Sequence, residues 1–254
     1  MVFSGVGVAL ATLFDDAGNV DAAATAAHAA CLVELGVRAV VVAGTTGEAA
    51  TLTVTERERL LTAVRAEVGG RVPVLAGTGA PSARQAADLT RRACAGGADA
   101  VLVLSPPHIL DPRPYYEQVA TAAGDLPVLG YHFPTMAPPG LPIDLLDELP
   151  IAGCKDSTGD PERLLATLAT TTKPLYTGSS AVLSFAGPVG CTGAILALAN
   201  AEPERCAAAF GGEATAQREL IAAHLAMRSA PGFPAGLKAL MAQRFSTSTV
   251  TRVA

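Results

Sequence analysis

The chain has 254 residues, about the length of one barrel of eight β/α units or of two smaller domains. Half of its residues are hydrophobic and its mean hydropathy is +0.37, so it can bury a large core. Its net charge of −5, its low aromatic content of 4% and its lack of Trp argue against nucleic acid or an anionic membrane as a partner.

The five cysteines are odd in number and widely spaced, which indicates free thiols rather than a disulfide or zinc framework. The first fourteen residues are apolar but lack a basic start and contain two glycines. They therefore predict a buried first strand and not a secretory signal. We expect a cytoplasmic protein with no membrane-spanning segment.

Short apolar runs alternate along the chain with alanine-rich segments, and turns bearing Gly or Pro separate them. The runs predict buried strands at residues 6–12, 38–43, 73–77, 100–104, 127–131, 151–155, 174–177 and 191–196. The segments between them predict helices at 21–35, 55–68, 81–95, 113–123, 142–149, 160–171, 179–187 and 203–227. Residues such as Thr53, Ser82, Pro112 and Asp160 stand where helices are expected to begin.

Strict alternation of strand and helix implies right-handed crossovers and an α/β fold. A doubly wound open sheet and a closed (β/α)8 TIM barrel both fit, and the count of eight favours the barrel. We expect one domain over residues 1–254. Residues 203–254 would comprise the last barrel helix and a short C-terminal helical extension, with a helix at 233–243 and a frayed tail after Arg244.

Lys155 is the only lysine that ends a predicted strand, where barrel enzymes place their chemistry. Burial favours the neutral amine, which is the form that attacks a carbonyl carbon. We expect Gly153, two positions earlier, to clear space for the lysine on the same face. A lysine that only caps the strand, with its head in water, fits the spacing as well.

The second run ends in Gly44, Thr45, Thr46, Gly47 and Glu48. Glycines permit a tight turn, and successive N–H groups and threonine hydroxyls can converge on a carboxylate or a phosphate. This predicts an anion-binding site, although a βα turn without a ligand could have the same sequence. We expect Glu48 to brace the loop and not to act on the substrate.

Tyr131 ends the fifth run, where a phenol can relay protons to a substrate oxygen. A packed core tyrosine is the alternative. His108 follows the fourth run, and Gly193 and Ile195 lie in the eighth. We expect these three residues to contribute to substrate binding.

Neither a cofactor nor a metal is expected. Gly77-Thr78-Gly79 resembles a dinucleotide loop, but Ser82 stands where the third glycine is required. The four histidines and the acidic residues lack the spacing of metal ligands.

Together these residues resemble the dihydrodipicolinate synthase / N-acetylneuraminate lyase family of class I aldolases. The matching segments are GTTGEAATLT at 44–53, YHFP at 131–134, GCKDSTGD at 153–160 and YTGSSAVLSFAGPVGCTGAI at 176–195. They occur in the family's order and extend over most of the chain.

The resemblance implies that Lys155 condenses with the ketone of pyruvate or a longer 2-oxo acid. Thr45 and Thr46 would hold the carboxylate and Tyr131 would shuttle protons, with a hydrogen bond from Thr45 to Tyr131. A homo-oligomer, dimer or tetramer, is also implied.

Two positions depart from the synthase pattern. His108 stands where a relay tyrosine from a neighbouring subunit is expected, and Met136 stands where an arginine would bind the semialdehyde substrate. The chain is therefore more similar to the 2-keto-3-deoxy sugar acid aldolases. The alternatives are a synthase that condenses pyruvate with aspartate semialdehyde, and a catalytically silent homologue that binds a 2-oxo acid.

Overall fold

Eight parallel strands pair in sequence order and close into a barrel, as the alternation predicts. A computed structural model describes residues 1–229 and 232–253. The strands are β1 Gly5–Ala9, β2 Val40–Val42, β3 Val74–Gly77, β4 Ala100–Leu104, β5 Val128–His132, β6 Gly153–Asp156, β7 Leu175–Thr177 and β8 Gly193–Leu196. Pairing of β8 with β1 closes the ring, so the alternative of an open sheet is wrong.

Helices follow most of the strands and cover the barrel. They are α1 Ala22–Glu34, α2 Val54–Val68, α3 Ala83–Ala95, α4 Arg113–Ala123, α5 Pro161–Thr170, α6 Leu183–Ala186, α7 Pro203–Phe210, α8 Ala214–Arg228 and α9 Ala235–Phe245. Short 3-10 turns occur at Ala49–Thr51 and Leu198–Asn200. The predicted starts hold, because Thr53, Ser82 and Asp160 cap their helices through side-chain oxygens.

The strands alternate between two buried layers, as the period of two in a strand requires. Residues such as Val41, Leu75, Leu129 and Ile195 form one cluster, which fills the barrel. Their neighbours pack in a second cluster against the helices. At the end where the strands begin, the Tyr176 hydroxyl donates a hydrogen bond to the Phe3 carbonyl. Barrel enzymes place their chemistry at the opposite end.

The structure corrects two predicted helices. Residues 142–149 form no helix, and turns occupy residues 144–148, where Leu146 N–H donates to the Ile143 carbonyl and Glu148 N–H to the Leu145 carbonyl. Pro142 and Pro150 leave only seven residues between them, which is little length for a helix.

The predicted helix at 203–227 is two helices, α7 and α8. Gly211 ends α7, and Gly212 adopts a φ of +101°, which a helix cannot include. The adjacent glycines Gly211 and Gly212 are the feature of the sequence that indicates this break.

The segment after Arg244 is not frayed. Helix α9 continues to Phe245, and Arg252 is hydrogen-bonded to residues of the turn after β2 and of α2.

Candidate active site

Lys155 points into the barrel near the carboxyl end of β6. In the sheet register it lies between Tyr131 of β5 and Tyr176 of β7, both members of the inner cluster. Its side chain is nearly enclosed, with 5% of the residue exposed, and its ammonium nitrogen lies 4.2 Å from the centroid of the Tyr131 ring. No hydrogen-bond or ion-pair partner for Lys155 Nζ occurs among residues 1–229 and 232–253.

The space for Lys155 comes from Gly178, not from Gly153 as expected. A methyl group at position 178 would approach Lys155 Cε to 2.8 Å and overlap the Ser157 hydroxyl. At Gly153 a methyl group would instead meet the Pro174 carbonyl oxygen at 2.7 Å. Gly153 therefore allows close approach of β6 to the chain before β7.

Tyr131 stands beside the lysine, with its ring stacked at 5.9 Å on Phe133. The Ser157 hydroxyl donates a hydrogen bond of 3.3 Å to the Tyr131 hydroxyl oxygen. The expected bond from Thr45 to Tyr131 is not formed in the part of the chain that the structure describes. The polar partner of the phenol comes from the loop after β6, two residues beyond Lys155.

The turn after β2 presents Thr45 and Thr46 to the same cavity. Their backbone N–H groups have no acceptor among the described residues. Gly44 and Gly47 shape the turn without lining the cavity. Thr12 donates to the Gly47 carbonyl at 2.7 Å, and a methyl group at Gly47 would come within 3.0 Å of the Leu10 carbonyl oxygen, just after β1.

These groups share a cavity of about 370 Å³ at the carboxyl end of the barrel. Helix α8 contributes to its outer side through His224 and Arg228. Ser180 Oγ and His224 Nδ1 lie 2.8 Å apart, and burial followed by the nearby Arg228 lowers the pKa of His224. No Asp or Glu is among the described residues that line the cavity: Thr45, Thr46, Tyr131, Phe133, Met136, Lys155, Ser157, Thr158, Gly178, Ser179, Ser180, Ala197, Leu198, His224, Met227, Arg228 and Phe233.

Three predicted binding residues lie away from this cavity. His108 is exposed on the loop after β4, with a φ of +62° and its N–H donating to the Pro138 carbonyl. Ile195 is fully buried inside the barrel. Gly193 packs under the ring of Tyr176, where a methyl group would come within 3.0 Å of a ring carbon.

A charged cluster lies on the outer face of β6, on the side of the strand opposite to Lys155. Arg163 Nε donates to Asp156 at 2.7 Å, and Arg163 Nη2 donates to the Leu141 carbonyl. His132 accepts from Leu141 N–H at 2.8 Å, and burial, followed by the charge of Arg163, lowers its pKa to about 4. The cluster therefore contains a neutral imidazole next to an ion pair, and it fixes the end of β6.

A second lysine is buried even more completely. Lys238 of α9 is 0% exposed, but it donates to Glu48 at 2.7 Å and does not line the cavity. Burial lowers the pKa of Lys238, whereas the hydrogen bond and charge of Glu48 raise it. Lys155, in contrast, is open to the cavity and unpaired within the described ranges.

Several cavity residues were not predicted as site residues. Ser157 and Ser179 stand at strand ends, where the barrel rule could have assigned them a role. His224 and Arg228 lie in the middle and at the end of a helix, and nothing in their local sequence indicates that α8 folds over the barrel mouth.

Within the described ranges, no group of three or more His, Cys, Asp or Glu residues is placed to hold a metal ion. Nor does any described helix have the length and apolar character needed to cross a membrane.

Comparison with known proteins gives a consistent result. Residues 2–244 match the model of the dihydrodipicolinate synthetase family. An uncharacterized DapA-like lyase of Halobacterium salinarum is 41% identical over 209 residues, covering 79% of this chain and 68% of that protein. A 4-hydroxy-tetrahydrodipicolinate synthase of Pseudomonas aeruginosa is 35% identical over 235 residues, covering 86% of this chain and 80% of that protein.

Solved structures agree. YagE, a prophage protein of E. coli K12 crystallised in complex with pyruvate, superposes with a TM-score of 0.90 at 27% identity, covering 100% of this chain and 93% of its own. A dihydrodipicolinate synthase of Bacillus anthracis superposes with a TM-score of 0.89 at 28% identity, covering 99% and 92%.

Proposed function

Because the chain belongs to the dihydrodipicolinate synthetase family, whose members are class I aldolases and lyases, we propose that it cleaves or forms a carbon–carbon bond through a Schiff base on Lys155. One observation carries the proposal. An enclosed lysine amine, without a partner in the described part of the chain, opens into a cavity that also contains Tyr131 and the Thr45-Thr46 turn.

In the synthetic direction, the neutral amine of Lys155 attacks the ketone carbon of pyruvate, and the carbonyl oxygen takes up a proton. The resulting carbinolamine loses water to give an iminium. Loss of a methyl proton gives an enamine, whose carbon attacks an aldehyde carbon as the aldehyde oxygen is protonated. Water then hydrolyses the new iminium, releasing the product and regenerating the amine.

Four residues besides Lys155 have proposed roles in these steps. The N–H groups and hydroxyls of Thr45 and Thr46 would bind the carboxylate, and the absence of acidic side chains among the described lining residues favours an anionic substrate. Tyr131 would transfer the protons, with Ser157 orienting its hydroxyl.

In the cleavage direction we propose that the substrate is a 2-keto-3-deoxy sugar acid, which forms the Schiff base with Lys155 and is cleaved to pyruvate and an aldehyde. Met136 lines the cavity where the synthase pattern would place an arginine. A 4-hydroxy-tetrahydrodipicolinate synthase is the second candidate. Relatives of that name support it, and Arg228 at the outer side of the cavity could hold the carboxylate of aspartate semialdehyde.

We also propose a homo-oligomer, dimer or tetramer, in the cytoplasm. The exposed apolar pair Ile109 and Leu110, beside His108, supports an interface between copies. In such an assembly His108 would contact substrate only in a neighbouring copy. The free cysteines fit a reducing compartment.

Borohydride reduction in the presence of pyruvate, followed by peptide mass spectrometry, tests the proposal. We expect an adduct on Lys155 in the wild type and none in Lys155→Arg. An adduct on Lys173 or Lys238 would refute the assignment, and no adduct would favour a silent homologue. Pyruvate release from a panel of 2-keto-3-deoxy acids, compared with condensation on aspartate semialdehyde, separates the two enzyme candidates.

A further inference from the structure

The C-terminal segment of residues 246–253, here called the tail, contacts the turn that would bind the substrate carboxylate. Backbone N–H groups of Arg252 and Val253 donate to one carboxylate oxygen of Glu48, at 2.7 and 3.0 Å. The other oxygen accepts from Lys238 Nζ at 2.7 Å. Three donors therefore hold the Glu48 carboxylate, which is almost completely buried.

The Arg252 guanidinium fastens the tail to the same region. It donates to Glu56 of α2 at 2.6 Å, to the Thr51 carbonyl at 3.1 Å and to the Gly18 carbonyl at 2.7 Å. The hydrogen bond from Arg252 is the largest cause that lowers the pKa of Glu56 to about 2. The tail thus holds both Glu48 and the segment that follows it.

Lys238 links Glu48 to the tail within the protein interior. Its ammonium also donates to the tail carbonyl of Val250 at 2.6 Å. The ring of Phe14 lies 4.4 Å from Lys238 Nζ and 4.7 Å from the Arg252 guanidinium carbon. Both cations therefore stack on one aromatic ring, which fixes the spacing between α9 and the tail.

Glu48 connects Lys238 and the tail to the turn after β2. Its φ of +56° is left-handed, a conformation that is costly for a residue with a side chain and persists only where the surroundings impose it. Its own N–H donates to the Thr45 carbonyl and closes the turn. The direction in which Thr45 and Thr46 face the cavity therefore depends on the backbone of Glu48.

The buried ion pair of Lys238 and Glu48 is not explained by a gain in the stability of the fold. The side chains of Lys238 and Glu48 are 0% and 1% exposed, and removing two charges from water offsets most of their attraction. Apolar residues of similar volume would stabilise the fold as well. A buried pair does, however, define position sharply, because both charges must keep their partners.

We infer that the tail, through Arg252, and Lys238 act as positioning elements for the carboxylate-binding turn, with Glu48 as the link. The inference rests on the proposed function. None of the three residues lines the cavity, so each acts through the geometry of Thr45 and Thr46. Losing an anchor should then weaken binding of the 2-oxo acid more than it slows the chemistry at Lys155.

The test compares Arg252→Ala with Arg244→Ala. Arg244 is a matched control, because it is an arginine of α9 that pairs with Glu204 and does not contact the turn. For each variant, the rate of borohydride trapping at Lys155 is measured against pyruvate concentration. Arg252→Ala should raise the half-saturating pyruvate concentration about tenfold or more, with the maximal rate within about threefold of wild type. Arg244→Ala should change neither.

Two further variants keep the test decisive if Arg252→Ala does not fold. Glu56→Gln weakens the anchor of the guanidinium while keeping an N3 side chain that can complete the helix cap. Arg252→Lys keeps the charge and should recover part of the pyruvate affinity. A lower melting temperature with unchanged half-saturation in these variants would overturn the inference and make the tail purely structural. If wild-type protein itself forms no adduct, the proposed function fails, and the inference fails with it.

Discussion

Replacing Gly178 with alanine should disable the site while leaving the barrel intact. The added methyl group would lie 2.8 Å from Lys155 Cε and overlap the Ser157 hydroxyl. Carbon atoms in contact lie about 3.5–4.0 Å apart, so the lysine stem must retreat by about 0.7–1.2 Å. Ser157 must also turn away, which breaks its bond to the Tyr131 hydroxyl.

The size of the effect follows from these displacements. A misplacement of about 1 Å in a catalytic group costs roughly 10²-fold in rate, and here the amine and the orientation of the phenol are both disturbed. We therefore expect kcat/KM to fall by about 10²- to 10³-fold. Overpacking at one such position costs about 1–3 kcal/mol of unfolding free energy, which a barrel of this size can absorb.

The assay is pyruvate trapping with borohydride, alongside steady-state turnover and a urea melt. Gly70→Ala is the control, because no atom lies within 4 Å of the added methyl group at that position. The Gly70→Ala variant should match the wild type in pyruvate trapping, turnover and urea unfolding. A Gly178→Ala variant that traps pyruvate and turns over at the wild-type rate would refute the proposed geometry of Lys155 and Ser157.

Three other predictions can be checked with purified protein. Tyr131→Phe should lower kcat by about 10²- to 10⁴-fold with little change in half-saturating pyruvate, and an unchanged kcat would mean that the phenol only packs. Activity should survive EDTA and need no nicotinamide or flavin, so loss on chelation with recovery on adding a divalent metal would reveal a missed site. The pKa of His28 is lowered to about 4 by burial, so the unfolded chain binds the extra proton between about pH 6.5 and 4. Unfolding free energy should therefore fall by about 3 kcal/mol from this group as pH drops through that window, and a urea series in which His28→Gln shows the same slope as wild type would contradict this.

Much of the fold could be predicted because its signals are local. All eight strands lie at the predicted runs, and the helix starts at Thr53, Ser82 and Asp160 hold, since capping depends on a few adjacent residues. Lys155, Tyr131, Thr45 and Thr46 share one cavity, because parallel strands bring their carboxyl ends to one rim. His108 does not reach that cavity, since proximity along a strand end does not determine where a loop residue points.

The sequence by itself determined the order of the strands and the position of Lys155 at a strand end, where barrel enzymes place their chemistry. The spacing of apolar residues and the residue types of turns depend on only a few neighbouring positions. Strands and helix ends can therefore be predicted from them without knowing how the chain packs. Only the tertiary structure decided that Gly178 makes room for Lys155, that Ser157 is the partner of Tyr131, and that the tail holds a glutamate 204 positions away. Such contacts join segments that are distant in the chain, and they leave no periodic pattern because only the closed barrel brings those segments together.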